Sequence, residues 1–156
     1  RLSRNPDRIG EVGRMSPADR DVVRRKLDRI VKCLQRIRDA RDKTLDDYLM
    51  DADLQFIMER QLELAIGAAV DLNVHILAQA GFGTPADAYT SFLELARHTS
   101  AISGKLARQL APATGIRNRL VHEYEEIDHR VVFESLHEAL DTFPQYVEAI
   151  EKYLQA

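Results

Sequence analysis

The sequence predicts an all-α fold, an up-and-down bundle of four main helices with a short fifth. Apolar residues recur at alternating spacings of three and four over long segments, which is the pattern of a helix that buries one face. The chain of 156 residues has only seven Gly and five Pro, and these cluster at the ends of the periodic segments. Its 45% hydrophobic residues suffice for one domain with a core of its own.

The N-terminal residues stand apart from this pattern. Residues 1–14 show no helical stripe, and Met15 follows them. We interpret residues 1–15 as a flexible arm, or alternatively as sequence upstream of a natural start at Met15. The helical-bundle domain is then residues 16–156.

The first helix is predicted from about residue 17 to residue 40. Ser16 can cap it, Pro17 suits the first helical position, and Asp19 places an acid in the first turn. Residues 44–51 are expected to form a connector with a short turn of helix. The apolar stripe of the first helix is Val23, Leu27, Ile30, Leu34 and Ile37.

A second long helix is predicted from about residue 53 to residue 80. A run of small residues would let another helix approach closely, for bundle packing or for a dimer seam: Ala65, Gly67, Ala68 and Ala69. Gly81 and Gly83 end this helix. Its apolar face is Leu54, Met58, Leu62, Ala65, Ala69, Leu72 and Ile76.

Three shorter helical segments should follow. Thr84 as a cap and Pro85 at the first helical position predict the start of a third helix, which runs to about His98. A short piece over 103–109 leads to Pro112, and a helix of roughly 116–126 follows it. The residues of the third helix expected to point inward are Tyr89, Phe92, Leu93 and Ala96.

Asp128 can cap the last helix, which extends to the end of the chain. Pro144 lies inside its heptad rhythm and removes one backbone hydrogen bond, so we expect a kink near residue 140 and no break. The heptad residues are Phe133, Leu136, Leu140, Phe143, Val147, Ile150 and Leu154.

Charge is unevenly divided along the chain. Residues 1–43 hold 14 Arg or Lys against 7 Asp or Glu, a net charge of +7, and residues 44–156 hold 8 against 18, a net charge of −10. Arg24 and Arg25 belong to a cationic cluster within two helical turns, which could track nucleic-acid phosphates. A solvated helix face is the alternative interpretation.

Several classes of protein are disfavoured. The single cysteine, Cys33, excludes an intramolecular disulfide and a cysteine-rich zinc site, and its neighbours indicate a core position. No apolar run near 18 residues and no signal peptide stands out, so a cytoplasmic protein without a membrane segment is the default. The sequence also lacks glycine-rich phosphate loops and Cys-His clusters.

The densest polar chemistry lies between Gly115 and Asp128. Arg117, Asn118, His122 and Tyr124 place a fixed cation, an amide, an imidazole and a phenol within two helical turns. On a straight helix Arg117 and Tyr124 would lie about 20° apart, but Arg117 and His122 about 140° apart. One helix therefore cannot aim Arg117 and His122 at one small target.

Two arrangements resolve this separation. Either the helix begins close to Arg117, which then sits on a flexible first turn, or a second copy of the helix supplies the complementary groups. Leu120 and Val121 should anchor the segment in the core, with His122 and Tyr124 at a rim.

These residue types suit cleavage of an RNA backbone. An imidazole titrates near neutrality and can take the proton of a ribose 2′-hydroxyl or protonate the leaving 5′-oxygen. A guanidinium can stabilise the charge that develops on the phosphoryl oxygens. The plainer interpretation is a surface ion-pair donor and a histidine with a local hydrogen bond.

The run R-N-R-L-V-H-E-Y, from Arg117 to Tyr124, resembles the Arg-x4-His-x-Tyr motif of the HEPN superfamily. It is closely similar to that of the HepT branch, the toxin of the HepT/MntA toxin–antitoxin pair. The resemblance covers most of the chain, with residues 48–76 similar to the family's long second helix and residues 110–128 to its motif helix.

The resemblance implies a metal-independent ribonuclease that needs no cofactor. It implies a homodimer in which two motif helices face each other across a cleft, which is the second arrangement described above. Arg117 and His122 match the family's catalytic residues, and Asn118 its polar residue. Tyr124 matches the tyrosine to which the partner nucleotidyltransferase antitoxin attaches AMP. We expect the RNA-binding residues to be Arg119, Arg24 and Arg25.

Other polar pairs are assigned to no metal. For Asp71 and His75 a local hydrogen bond is the simpler interpretation, and the Glu-x-x-His spacing of Glu134 and His137 occurs once where a carboxylate-bridged site needs it twice. Glu59 and Glu63 could pair with Arg60 or Arg41, and His98 and His129 lie near helix ends.

Two other functions stay open at this point. One is a catalytically inactive module that docks a nucleotidyltransferase, with Tyr124 as its modified residue, and the other is a structural or regulatory dimer. Arg117 and His122 together favour the ribonuclease, because a docking module needs neither.

Overall fold

The computed structural model describes residues 15–122 and 126–156, and all regular structure in these residues is helical. The predicted all-α fold is therefore confirmed. Tyr124 and the arm predicted for residues 1–15, apart from Met15, lie outside the described residues. The helices are α1 (Pro17–Ile37, extended by a 3₁₀ turn over Arg38–Ala40), α2 (Leu45–Leu49), α3 (Ala52–Gln79), α4 (Ala88–His98), α5 (Gly104–Leu110), α6 (Ala113–Val121) and α7 (His129–Gln155).

Side-chain caps start most of these helices. In each case an oxygen of the capping side chain accepts a hydrogen bond from a backbone N–H of the first turn, which satisfies a donor that the helix cannot pair itself. The predicted caps Ser16 and Asp128 are confirmed. Among the described helices α6 is the exception, since it follows Pro112 without a side-chain cap. The capping residues are Ser16, Thr44, Asp51, Asp87, Ser103 and Asp128.

Helix α3 is the central element of the bundle. It packs against α1, α4, α6 and α7, while α5 packs between α4 and α7. Helices α1 and α3 run antiparallel, because Asp19 near the start of α1 faces His75 near the end of α3, and Arg36 faces Gln61. The largest fully buried side chains include Tyr48, Tyr146, Phe92 and Phe143.

A buried hydrogen-bond network ties three helices together. The Tyr146 hydroxyl of α7 lies 2.6 Å from Asn73 Oδ1 and 3.1 Å from the Ala69 carbonyl oxygen, both on α3. Asn73 Nδ2 donates to Ser91 Oγ of α4 at 3.1 Å, and Ser91 donates to the Ala88 carbonyl at 2.6 Å. Burial raises the pKa of the Tyr146 phenol, so this hydroxyl stays a donor.

The start of α4 differs from the prediction. The helix begins at Ala88 and is capped by Asp87, whose Oδ1 accepts from the Thr90 N–H at 2.7 Å, so the prediction of a cap at Thr84 is wrong. Thr84 lies three residues before Asp87, and the carboxylate of Asp87 supplies the cap instead. Tyr89, predicted to point inward, is 48% exposed, because the buried face of α4 is centred on Phe92 and Leu95.

Helix α6 also differs from the prediction of roughly 116–126. It begins three residues earlier, at Ala113, and ends at Val121 because His122 adopts an extended backbone conformation, with φ −94° and ψ 90°. Leu120 is buried as expected. Val121 is 43% exposed, so its predicted role as a core anchor is wrong.

Helix α3 is more apolar than the sequence analysis indicated, since no apolar run near 18 residues was identified there. The helix is long enough and apolar enough to cross a membrane, with a mean hydropathy of 1.2 over its best 18-residue window. Because 56% of that window is buried inside the bundle, we interpret α3 as a core helix. A core helix can be as long and as apolar as a membrane span. Helix α7 continues through Pro144 without a break, as predicted, and the kink stays a prediction.

Candidate active site

Arg117 projects from α6 onto the surface of α3. Its side chain covers Gly67: a Cβ atom at Gly67 would lie 3.4 Å from Arg117 Nε and 3.7 Å from Nη2. The guanidinium therefore lies over the α3 backbone at a distance that leaves room for no side chain larger than a methyl group. Arg117 Nε is buried and has no hydrogen-bond partner among the described residues. A buried donor without a partner costs about 1–3 kcal/mol.

His122 follows the last residue of α6. Its backbone N–H still donates to the Asn118 carbonyl at 3.0 Å, but its extended conformation takes the imidazole off the helical wheel. The separation of about 140° calculated for a straight helix therefore does not apply to His122. The arrangement in which the helix begins close to Arg117 is wrong, because α6 begins at Ala113. The imidazole of His122 is exposed, as are Asn118 and Arg119.

A polar cluster holds the beginning of α7 against α3. His129 Nδ1 lies 2.9 Å from Glu59 Oε1, close enough for an ion pair when the imidazole is protonated, although the two atoms are not aligned as a hydrogen bond. The Tyr48 ring packs edge-on to His129, with ring centroids 6.5 Å apart. These two contacts hold His129, the first residue of α7, against α3 and Tyr48.

Burial dominates the electrostatics of this cluster. It raises the pKa of Glu59, an effect opposed by the positive charge of His129. Burial also raises the pKa of Tyr48, and the negative charge of Glu59 adds to that shift. Sequence reasoning missed the cluster, because a pairing between α3 and α7 has no local pattern to indicate it.

Asp71 and His75 find partners on α1, whereas Glu63 finds its partner within α3. Asp71 accepts from Lys26 Nζ at 3.0 Å and His75 lies 3.7 Å from Asp19, so the local Asp71–His75 hydrogen bond predicted from the sequence is wrong. Glu63 pairs with Arg60 at 3.1 Å, one of the two partners named from the sequence. Within residues 15–122 and 126–156 no three His, Cys, Asp or Glu side chains form a group that could hold a metal ion.

The remaining histidines make local contacts. His137 Nδ1 lies 2.9 Å from the Phe133 carbonyl oxygen, and Nε2 lies 3.4 Å from that of Arg41. His98 stacks on the exposed ring of Phe82, with centroids 4.3 Å apart. Cys33 is buried in the core as expected, and burial raises the pKa of its thiol.

The two predicted RNA-binding arginines of α1 are exposed, but they do not face the same way. Arg25 lines a groove between α1 and α3, whereas Arg24 does not. Successive residues on a helix point about 100° apart, which accounts for the difference.

The arrangement provides groups that can act on a phosphodiester. Arg117 is a permanently charged donor that lies against Gly67 of α3, and His122 is an exposed acid or base one step beyond the helix end. Tyr124, the remaining motif residue, lies outside the described residues, two positions after His122.

Several known proteins similar to this chain are named as nucleases. The ribonuclease HepT-like family matches residues 30–150 of the chain. A tRNA nuclease HepT from Aphanizomenon flos-aquae is 38% identical over 133 residues, which cover 85% of this chain and 90% of that protein. An mRNA nuclease HepT from Shewanella oneidensis is 28% identical over 131 residues, which cover 84% and 97%.

The fold is also similar to a solved structure, the tri-AMPylated Shewanella oneidensis HEPN toxin in complex with MNT antitoxin. The TM-score is 0.75 at 26% sequence identity, and the alignment covers 85% of this chain and 98% of that one.

Proposed function

The chain belongs to the HepT-like ribonuclease family, and on that premise we propose that it is the toxin of a toxin–antitoxin pair, a metal-independent endoribonuclease that cleaves cellular RNA in the cytoplasm. The observation that carries the proposal is the presence in one motif segment of Arg117, which lies against Gly67, and of the exposed imidazole of His122. The names of the two nuclease relatives support the reaction class.

The proposed reaction is an internal transesterification. His122 takes the proton of a ribose 2′-hydroxyl, whose oxygen attacks the adjacent phosphorus, and the bond to the 5′-oxygen breaks. A second imidazole, His122 of the other copy in the homodimer, gives a proton to that leaving oxygen. The products are a 2′,3′-cyclic phosphate and a 5′-hydroxyl end. The reaction consumes no water in this step and requires no cofactor.

Two further residues assist in this mechanism. The Arg117 guanidinium stabilises the charge on the phosphoryl oxygens, and the Asn118 amide donates to the same phosphate. Exposed arginines near the site and on α1, namely Arg119, Arg24 and Arg25, contact the flanking RNA. The half-exposed Val121 beside His122 offers an apolar contact to the facing motif helix of the second copy.

Neutralisation is proposed to occur at Tyr124. A nucleotidyltransferase antitoxin similar to MntA transfers AMP from ATP to the phenol oxygen, and pyrophosphate leaves. The adenylyl group adds negative charge and bulk two residues from His122, which repels the RNA phosphate. The name of the similar structure, a tri-AMPylated toxin with its antitoxin, supports a modification of this kind.

The experiment is RNA cleavage and intact mass on one preparation, with EDTA present, for the parent and His122→Ala. We expect cleavage by the parent alone, with 2′,3′-cyclic phosphate ends. His98→Ala is the matched control, because His98 is also exposed but stacks on Phe82 and is not part of the motif. A His122→Ala rate within about tenfold of the parent would exclude His122 as the proton-transfer group.

Two variants test the other roles. Arg117→Lys should lose activity, because a point charge lacks the planar fork of donors, and full activity would show that charge alone suffices. Tyr124→Phe should stay unmodified after incubation with antitoxin and ATP. An unchanged mass shift in that variant would place the acceptor elsewhere.

A non-catalytic docking module is the second candidate, favoured by the complex of the similar toxin with its antitoxin. No cleavage by a parent whose mass equals that of the bare sequence would support it.

A further inference from the structure

A basic groove of about 400 Å³ runs between α1 and α3. Its cationic wall is one face of α1, where the residues recur at spacings of four, three and four, so they share one side of the helix. Leu64 of α3 lies opposite them, and Asp28 also lines the groove. The wall consists of Arg25, Arg29, Lys32 and Arg36.

The cations of this wall are largely uncompensated. Arg36 Nη1 donates to Gln61 Oε1 at 3.4 Å, and Arg25, Arg29 and Lys32 make no ion pair with any residue that the structure describes. The adjacent Lys26, by contrast, is neutralised by Asp71 at 3.0 Å. Four cations against one carboxylate leave a site suited to a chain of negative charges.

The groove adjoins the candidate active site along α3. Leu64, which lines the groove, precedes Gly67 by three residues, so the two are neighbours on one face of the helix. Gly67 is the residue that the Arg117 guanidinium covers. Along the axis of α3 Leu64 and Gly67 are separated by about 4.5 Å.

We propose that this groove binds the phosphates of an RNA strand on one side of the bond that is cut. The inference rests on the proposed ribonuclease function and adds to it a separate binding site for the uncut part of the substrate. The wall spans about 16 Å from Arg25 to Arg36 at 1.5 Å per residue. A single row of cations on one helix suits a single strand, because it follows one backbone only.

The test measures RNA affinity in the His122→Ala protein, which should not cleave the RNA. A labelled single-stranded RNA is titrated with His122→Ala protein by fluorescence anisotropy at several salt concentrations. The groove variant adds Arg25→Gln, Arg29→Gln and Lys32→Gln. The control adds Arg97→Gln, Lys105→Gln and Lys152→Gln, which remove the same charge from exposed positions on α4, α5 and α7.

We expect the groove variant to bind at least tenfold more weakly than the control at 0.15 M salt. Its plot of log affinity against log salt should be less steep by about 2, since each phosphate contact to a single strand contributes about 0.7. With His122 restored, the groove variant should show a raised KM and a kcat close to that of the parent. Equal affinities and slopes for the two variants would overturn the proposal.

Two further outcomes separate this inference from the proposed function. If the parent cleaves no RNA but the groove variant still loses affinity, the groove stands and the nuclease proposal falls. If the groove variant keeps its RNA affinity and instead loses binding of the antitoxin, the groove is a contact for an acidic protein surface and the inference is wrong.

Discussion

Replacement of Gly67 by valine should inactivate the enzyme without unfolding it. A Cβ at this position would lie 3.4 Å from Arg117 Nε, which is an ordinary contact, so alanine fits beneath the guanidinium. Valine adds methyl carbons about 1.5 Å beyond Cβ. A methyl aimed at Arg117 would close the gap to about 2 Å, so the guanidinium has to move by more than an ångström.

A displacement of this size is large for a group that is proposed to act in catalysis. Misplacement by about 1 Å can cost about 100-fold in rate, which corresponds to about 2.7 kcal/mol of transition-state stabilisation. We expect Gly67→Val to lower the single-turnover rate by roughly that factor. Gly67→Ala should keep the parental rate and raise stability by about 0.5–1 kcal/mol, because alanine is the better helix former.

The assay is single-turnover cleavage of a labelled RNA, with folding checked by circular dichroism and thermal melting. A double-mutant cycle isolates the contact: in an Arg117→Ala background, Gly67→Val should cost nothing further. A Gly67→Val protein that cleaves at the parental rate would refute the reasoning, as would an equal loss in both backgrounds.

Two other predictions concern the bundle. Tyr146→Phe should lower the free energy of unfolding by about 1–3 kcal/mol in urea denaturation, because it leaves the buried Asn73 Oδ1 without a donor. Tyr153→Phe, whose hydroxyl makes no hydrogen bond in the described part of the chain, should cost less, and equal losses would contradict the role of the network. Asp87→Ala should lower Tm at neutral pH, whereas Thr84→Ala should not. The Thr90 N–H lowers the pKa of Asp87, so this stabilisation is present above the ordinary aspartate value and is lost as pH falls through the lowered one. Retention of the difference at a pH below both values would show that the capping carboxylate is not its source.

Local sequence rules predicted the long helices well and the short ones less well. The bounds of α1, α3 and α7 follow from periodic apolar residues and caps such as Ser16 and Asp128, which act within one turn. The ends of α6 depend on its packing against α3 and α4, and on the extended conformation of His122. No motif in the sequence encodes that packing.

The same division applies to the candidate site. Residues close in sequence, such as Arg117 and His122, could be identified by their chemistry. The contact between Arg117 and Gly67 could not be predicted, because the sequence indicated only close helix packing for Gly67. The ion pair of Glu59 and His129 likewise depends on how α3 and α7 meet. Tyr124 stays a prediction.

The absence of a side-chain cap on α6, within the described chain, has a consequence for local stability. A cap contributes about 1 kcal/mol, and α6 is also short, so its stability comes from the faces of α3 and α4 on which it lies. Its amides should therefore exchange with deuterium faster than those of α3, through an opening that leaves the rest of the bundle intact. Arg117 would leave Gly67 in that opened state, so a partner that prefers it could switch off catalysis for less free energy than global unfolding requires.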